Sequence, residues 1–168
     1  MPDLNSALAA NRAAANDLLA TAERSATTWT TPRAPGKWSP SQLVEHVAIS
    51  LEESGNDVSG APSKFPNFPR LVRPLLRTFF FNRVLSRNAF PRARTQRAFD
   101  PAAGPATPQA ARARLEAALT QFEQACRGRA ASGQPIQSTL FGKVSVEDYV
   151  RFQELHTRHH RKQLPEGA

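Results

Sequence analysis

The sequence predicts an all-α fold: a four-helix bundle with a short helix inserted between its second and third long helices. Three observations carry this. Apolar residues recur at steps of three and four over four separate stretches, the period of a helix with one buried face. Ala and Leu dominate the apolar set while Val and Ile are scarce, which favours helix over sheet. Pro, Gly and Ser gather between those stretches, where connections belong. With 168 residues, 40% hydrophobic and 21% charged, the chain is long enough to bury a core and reads as one globular domain over 1–168.

The first helix is expected over 4–27, with Leu4, Leu8, Ala15, Leu18 and Ala22 on one face and Asn11, Arg12, Asp17 and Glu23 between them. "TTPRAPG" breaks it. The second helix restarts at "WSPSQ", where Ser39 is a good N-cap, Pro40 suits the first helical position and Gln42 completes a capping box. Trp38 should be substantially buried beside this start, and the helix should run to about Glu53 before "SGNDVSG" ends it. Residues 61–107 form a basic, Pro-rich insertion. Within it a helix should start near Arg73, because Pro74 is accepted only in a first turn, and should press Phe79 and Phe80 on the bundle. Thr107 and Pro108 repeat the cap-and-proline start for the third long helix, expected to reach Arg129 with Leu115, Ala118, Leu119, Phe122 and Cys126 inward. The last helix should span 145–164, from a second box at Ser145 and Asp148 to the stop at Pro165. No strand is expected.

The single cysteine, Cys126, excludes an internal disulfide and a thiolate metal cluster, and its expected place is a buried helix face. No stretch approaches the ~18 uninterrupted apolar residues of a membrane span, and no basic segment followed by an apolar run marks a secretory signal. The expected location is the cytoplasm. Gly128 and Gly133 have phosphate-loop spacing, but Gln134 and Pro135 stand where Lys and Ser/Thr are needed.

Net charge is +8, unevenly spread: no acidic residue lies between Val58 and Phe99, while Lys64, Arg70, Arg73, Arg77, Arg83, Arg87, Arg92, Arg94 and Arg97 do. Such a stripe suits phosphates, an anionic surface or an anionic ligand. It contains no nucleic-acid reading motif, and its apolar residues have the number expected of a helix packed on the bundle.

Three of the four histidines sit in "ELHTRHHRKQL". Val146, Tyr149, Gln153, His156, His160 and Gln163 are spaced by threes and fours and so share one helix face. That seam turns polar over its last two turns, where the pattern otherwise predicts core. Unpartnered burial there would cost about 1–3 kcal/mol per polar group. A divalent metal satisfies them, since histidines at i and i+4 can reach one ion. Thr157 replaces the Glu that the zinc-protease helix would carry. The third ligand is expected to be His46, on the inner face of the second helix; His159 should point aside. His46, His156 and His160 would leave a coordination position open, as catalytic sites do. Glu53, seven residues after His46, is a candidate to take a proton or orient a ligand, or else lies at a solvated helix end. Gln163 is a candidate to bond a ligand or to support the site.

"GKWSPSQLVEHVAISLE" and "FGKVSVEDYVRFQELHTRHHRKQL" together resemble the DinB/YfiT-like superfamily, in which a Trp-Ser/Thr-Pro helix start precedes one His and the last helix carries His-x-x-x-His, often with Gln three residues on. The resemblance implies a four-helix bundle that binds a divalent ion, zinc or nickel, through His46, His156 and His160. It also implies chemistry of the kind shown by relatives that transfer low-molecular-weight thiols to small electrophiles. Activity of that kind should rise with pH as the ligand imidazoles lose their protons, near ~6–7 before any shift. A metal-dependent hydrolase is the first alternative. The second is a non-enzymatic metal-binding bundle whose basic segment binds nucleic acid, a membrane surface or a protein. A homodimer is compatible with either.

Overall fold

The computed structural model describes residues 3–91 and 97–164, and these are mostly helical. Helix α1 (Leu4–Glu23) is capped by Asp3, whose carboxylate accepts from the Ser6 amide. Helix α2 (Pro40–Ser59) begins with the full capping box: Ser39 accepts from the Gln42 amide while Gln42 accepts from the Ser39 amide. Helix α3 is a continuous run of three pieces, Arg73–Leu76, a π-helical stretch Arg77–Phe81, and Asn82–Arg87. Helix α4 (Pro108–Ala131) is capped by Thr107, and helix α5 (Val146–Arg161) by Ser145, which accepts from the Asp148 amide.

α1 packs chiefly on α5, and α2 chiefly on α4. One core unites them, built around Leu8, Leu18, Leu51, Leu115, Phe122 and Tyr149, each no more than 2% exposed. Cys126 is buried in it, and burial pushes its thiol well above the ordinary range, so it packs as a small apolar group.

Five expectations are corrected. α2 does not stop near Glu53. Gly55 is a packing glycine, because a Cβ there would stand 3.4 Å from Phe122 Cα of α4. The stop is Gly60, whose φ of +83° is the left-handed C-terminal cap that glycine adopts without strain. α1 ends at Glu23, short of residue 27, and passes into a 3₁₀ turn, Ala26–Thr28. Asn11 is fully buried among α1's apolar residues, with no hydrogen-bond partner for either amide atom.

Residues 136–144 form a hairpin, with β1 (Ile136–Ser138) antiparallel to β2 (Gly142–Val144) in the register Ile136↔Val144, Gln137↔Lys143, Ser138↔Gly142. Gly142 at φ +70° makes the tight connection possible.

The last correction concerns the aromatic run in α3. Phe80 is half-buried and Phe81 is 1% exposed, but Phe79 is 71% exposed. A π-turn takes in one extra residue, marked by the Asn82 amide donating to the Arg77 carbonyl, and so moves the inward register one position along. Arg92 and Arg94 of the basic stripe, and Pro165, lie outside the described residues.

Candidate metal centre

His46 comes from the middle of α2, and His156 and His160 come from the last two turns of α5. One nitrogen of each lies within 4.8 Å of the others. His156 Nε2 is 3.0 Å from His160 Nε2 and 3.4 Å from His46 Nε2. The rings meet edge to face, and Trp38 lies over two of them, at centroid separations of 4.7 Å from His46 and 6.0 Å from His160. Trp38 is half-buried, not deeply buried, with its indole N–H donating to Asp100 Oδ1 at 3.0 Å. The buried tryptophan is Trp29.

Protons decide what this cluster can do. His46 Nδ1–H donates to the Phe99 carbonyl at 2.7 Å, and His160 Nδ1–H donates to Gln163 Oε1 at 3.3 Å. Each ring is thereby held in the tautomer that leaves Nε2 as an acceptor. Three neutral imidazoles thus bring at most one proton to three converging Nε2 atoms. Protonation would relieve this, but burial and the neighbouring rings lower His156 far below its ordinary value and take His160 down to about 3. Burial also lowers His46, with the Phe99 carbonyl pulling the other way. Neutral imidazoles with converging nitrogens, His46 and His160 buried and His156 half-buried, the first two oriented through Nδ1, fit a divalent cation.

The Phe99 carbonyl is supplied by the basic insertion. Residues 97–105 lie as a strap across the start of α2. Gln42 donates to the Pro101 carbonyl at 3.2 Å, Ser41 Oγ to the Pro105 carbonyl at 2.7 Å, and Trp29 Nε1 to the same carbonyl at 2.8 Å. Gly104 is required for this approach, because a Cβ there would overlap Ser41 O and Oγ. Proline-punctuated loops carry no periodic signal, so the strap's path was illegible.

Gln163 links two histidines: its Oε1 accepts from His160, and its Nε2 donates to His159 Nε2 at 3.0 Å. His159 is not one of the three converging residues. Glu53 is buried, but it faces the insertion. Its Oε2 accepts from the Lys64 amide at 2.8 Å, its Oε1 is 3.4 Å from Lys64 Nζ, and it is not among the residues lining the cavity beside the histidines.

That cavity measures about 1140 Å³. One wall is aromatic, including Phe80, Phe90, Phe141 and Phe152; Phe141 is presented by the unexpected hairpin. Arg33, Lys37 and Lys162 also line it, with Asp100. Three arginines of the basic stripe, read as suited to an anionic ligand, lie elsewhere. Arg73 donates to the Phe68 carbonyl and to Asn67, Arg77 donates to the Lys143 carbonyl, Arg83 is exposed, and none of the three lines the cavity. Deeper in, Tyr149 donates to Asp57 Oδ2 at 3.0 Å, while Asp57 Oδ1 accepts from the Thr139 amide and hydroxyl and so fixes the hairpin turn. Burial and Asp57 hold the Tyr149 phenol well above its ordinary value.

These observations define a class: a helical protein in which three imidazoles from two helices converge beside an open cavity. The sequence model of the DinB superfamily matches residues 7–164, and the chain belongs to that superfamily. Comparison with curated proteins gave no match, and comparison with solved structures gave none. No helix among the described residues is long and apolar enough to cross a membrane.

Proposed function

We propose that this is a metal-dependent enzyme. His46, His156 and His160 would hold a divalent ion, zinc or nickel, and the reaction would be transfer of a low-molecular-weight thiol to a small electrophile. The observation that carries the reading is the set of three Nε2 atoms sharing at most one proton beside a cavity of about 1140 Å³. In this reading α1, α2, α4 and α5 are the superfamily's four-helix bundle, and α3 with the strap is an addition to it.

A bound divalent ion supplies a Lewis acid that favours thiolate over thiol near neutral pH. The chain's own residues do the rest. The Phe99 carbonyl and Gln163 hold the ligand rings in the required tautomer. Arg33, Lys37 and Lys162 draw in a thiol that carries anionic groups. The aromatic wall excludes water from the apolar part of the electrophile. In the transfer, the thiol proton goes to solvent, a sulfur–carbon bond forms, and the displaced group leaves with its electron pair; an activated alkene takes a proton at carbon instead. Gln163 is an orienting residue here, and Glu53 an anchor for the insertion.

The test is a panel of bacterial low-molecular-weight thiols with an alkyl halide and an activated alkene, using protein loaded with zinc or nickel. Metal-dependent acceleration lost in His160→Ala is the expected result. Metal-dependent ester or amide hydrolysis with no thiol transfer would establish the hydrolase alternative and overturn this one.

A further inference from the structure

Leu71, Leu75 and Phe79 are 89%, 57% and 71% exposed. They are the exposed large hydrophobics of the described residues, and they fall at consecutive four-residue steps along one segment. Beyond Phe79 the exposed positions of α3 are Asn82, Arg83, Ser86 and Arg87. Arg70 is exposed at the start of the segment, and Lys143 is exposed on the adjoining hairpin, where its carbonyl receives Arg77. No acidic residue occurs between Val58 and Phe99 to offset them.

α3 is therefore amphipathic twice over. Its inner face is committed: Phe81 and Val84 lie in the core, with Phe81 stacked on Phe152 at 4.9 Å. Its outer face, about 22 Å long at ~1.5 Å per residue, is an apolar ridge that passes into a cationic one. We infer that this outer face of α3 docks on an anionic lipid surface, with Leu71, Leu75 and Phe79 seated below the headgroups and Arg70, Arg83, Arg87 and Lys143 among the phosphates.

Charge selects this occupant. A second copy of the chain would meet the patch through a two-fold contact, setting cation against cation with no carboxylate in the segment to pair them. Nucleic acid would satisfy the arginines but leave three large apolar side chains against a phosphate backbone. An anionic bilayer satisfies both halves, since its interface takes apolar side chains about 5–10 Å deep and its headgroups attract cations. The helix is already folded and anchored from behind, so docking requires no ordering of the chain.

The test is flotation of the full chain with vesicles of phosphatidylcholine alone or mixed equally with phosphatidylglycerol, at low and high salt. Binding should be confined to the mixed vesicles and should weaken with salt. Arg83→Gln with Arg87→Gln should lower partitioning about 30-fold, at ~1 kcal/mol per charge and tenfold per ~1.4 kcal/mol. Leu75→Ser with Phe79→Ser should lower it at least about tenfold. Thermal melts check folding, and Leu71→Ser, which lies before the helix, serves if the double variant melts early. Three outcomes would each overturn the inference: equal binding to both vesicles, mixed-vesicle binding that ignores loss of the apolar pair, or no vesicle binding by the folded chain, in which case a dimer broken by Leu75→Ser and Phe79→Ser would assign the face to a second copy.

Discussion

Gly104→Ala should damage the histidine centre from a distance. A Cβ at this position would overlap both Ser41 O and Ser41 Oγ, and backbone atoms at the start of a capped helix cannot give way. The strap must lift instead. Lifting removes the Ser41 and Trp29 bonds to the Pro105 carbonyl, and Trp29 is buried, so its indole N–H loses its partner away from water. Overpacking costs about 1–3 kcal/mol and each lost bond about 1 kcal/mol, which gives a destabilisation of about 2–4 kcal/mol after relaxation. For a chain of this size Tm should fall by roughly 5–15 °C.

Tryptophan emission gives an independent readout, because the chain's two tryptophans, Trp29 and Trp38, both donate to the strap. Emission of the folded variant should shift to the red. The Phe99 carbonyl moves with the strap, so His46 loses its orienting acceptor and metal affinity should drop about 10–100-fold. A variant with the parent's Tm, emission and metal affinity would show that the strap neither presses on Ser41 nor supports His46.

Tyr149→Phe should cost about 1.5–3 kcal/mol in urea unfolding at unchanged m, because it removes a hydrogen bond to the buried Asp57 carboxylate; a loss under about 0.5 kcal/mol, the size of an ordinary surface substitution, would refute that. The metal-free protein should hold its stability above pH 6.5 and lose it as pH falls toward about 3, the values between which the unfolded chain binds a proton at His160 that the folded chain does not. The slope is about 1.4 kcal/mol per pH unit for that histidine, and the lowered His46 and His156 add to it with the same sign; a flat profile across this window contradicts neutral burial. The same shifts move the expected rise of activity from near ~6–7 to lower pH, so activity limited by ligand protonation should already be on its plateau at pH 6.5. His159→Ala should keep the metal while His156→Ala loses most of it, as read by metal content after gel filtration.

Much of the frame was legible because its signals are local. Ser39-Pro40-Gln42 and Thr107-Pro108 state helix starts in consecutive residues, and each cap is made as the chemistry requires. The polar end of the α5 seam was equally readable, since the 3.6-residue period alone puts His156, His160 and Gln163 on one face. What was missed depends on partners distant in sequence. Gly55 and Gly60 look alike in the sequence, and only the approach of Phe122 makes one a packing position and the other a stop. The Phe run in α3 gave no hint of its π-turn, which turns Phe79 outward. "IQSTLFGKV" carries a hairpin signal in Gly142, which opens the second strand at positive φ, but strands of three residues are too short to set a period. The support of His46 by a main-chain carbonyl could not be read at all, because every residue offers that group.

Whether three imidazoles hold one ion is decided by metal content and K-edge X-ray absorption of the zinc-loaded chain and its His156→Ala variant. One zinc per chain is expected, with three imidazole nitrogens at about 2.0–2.1 Å and an open or solvent-filled fourth position, and with loss of most zinc from the variant. A parent chain that retains no zinc, or a variant that binds it with the parent's stoichiometry and spectrum, would contradict it.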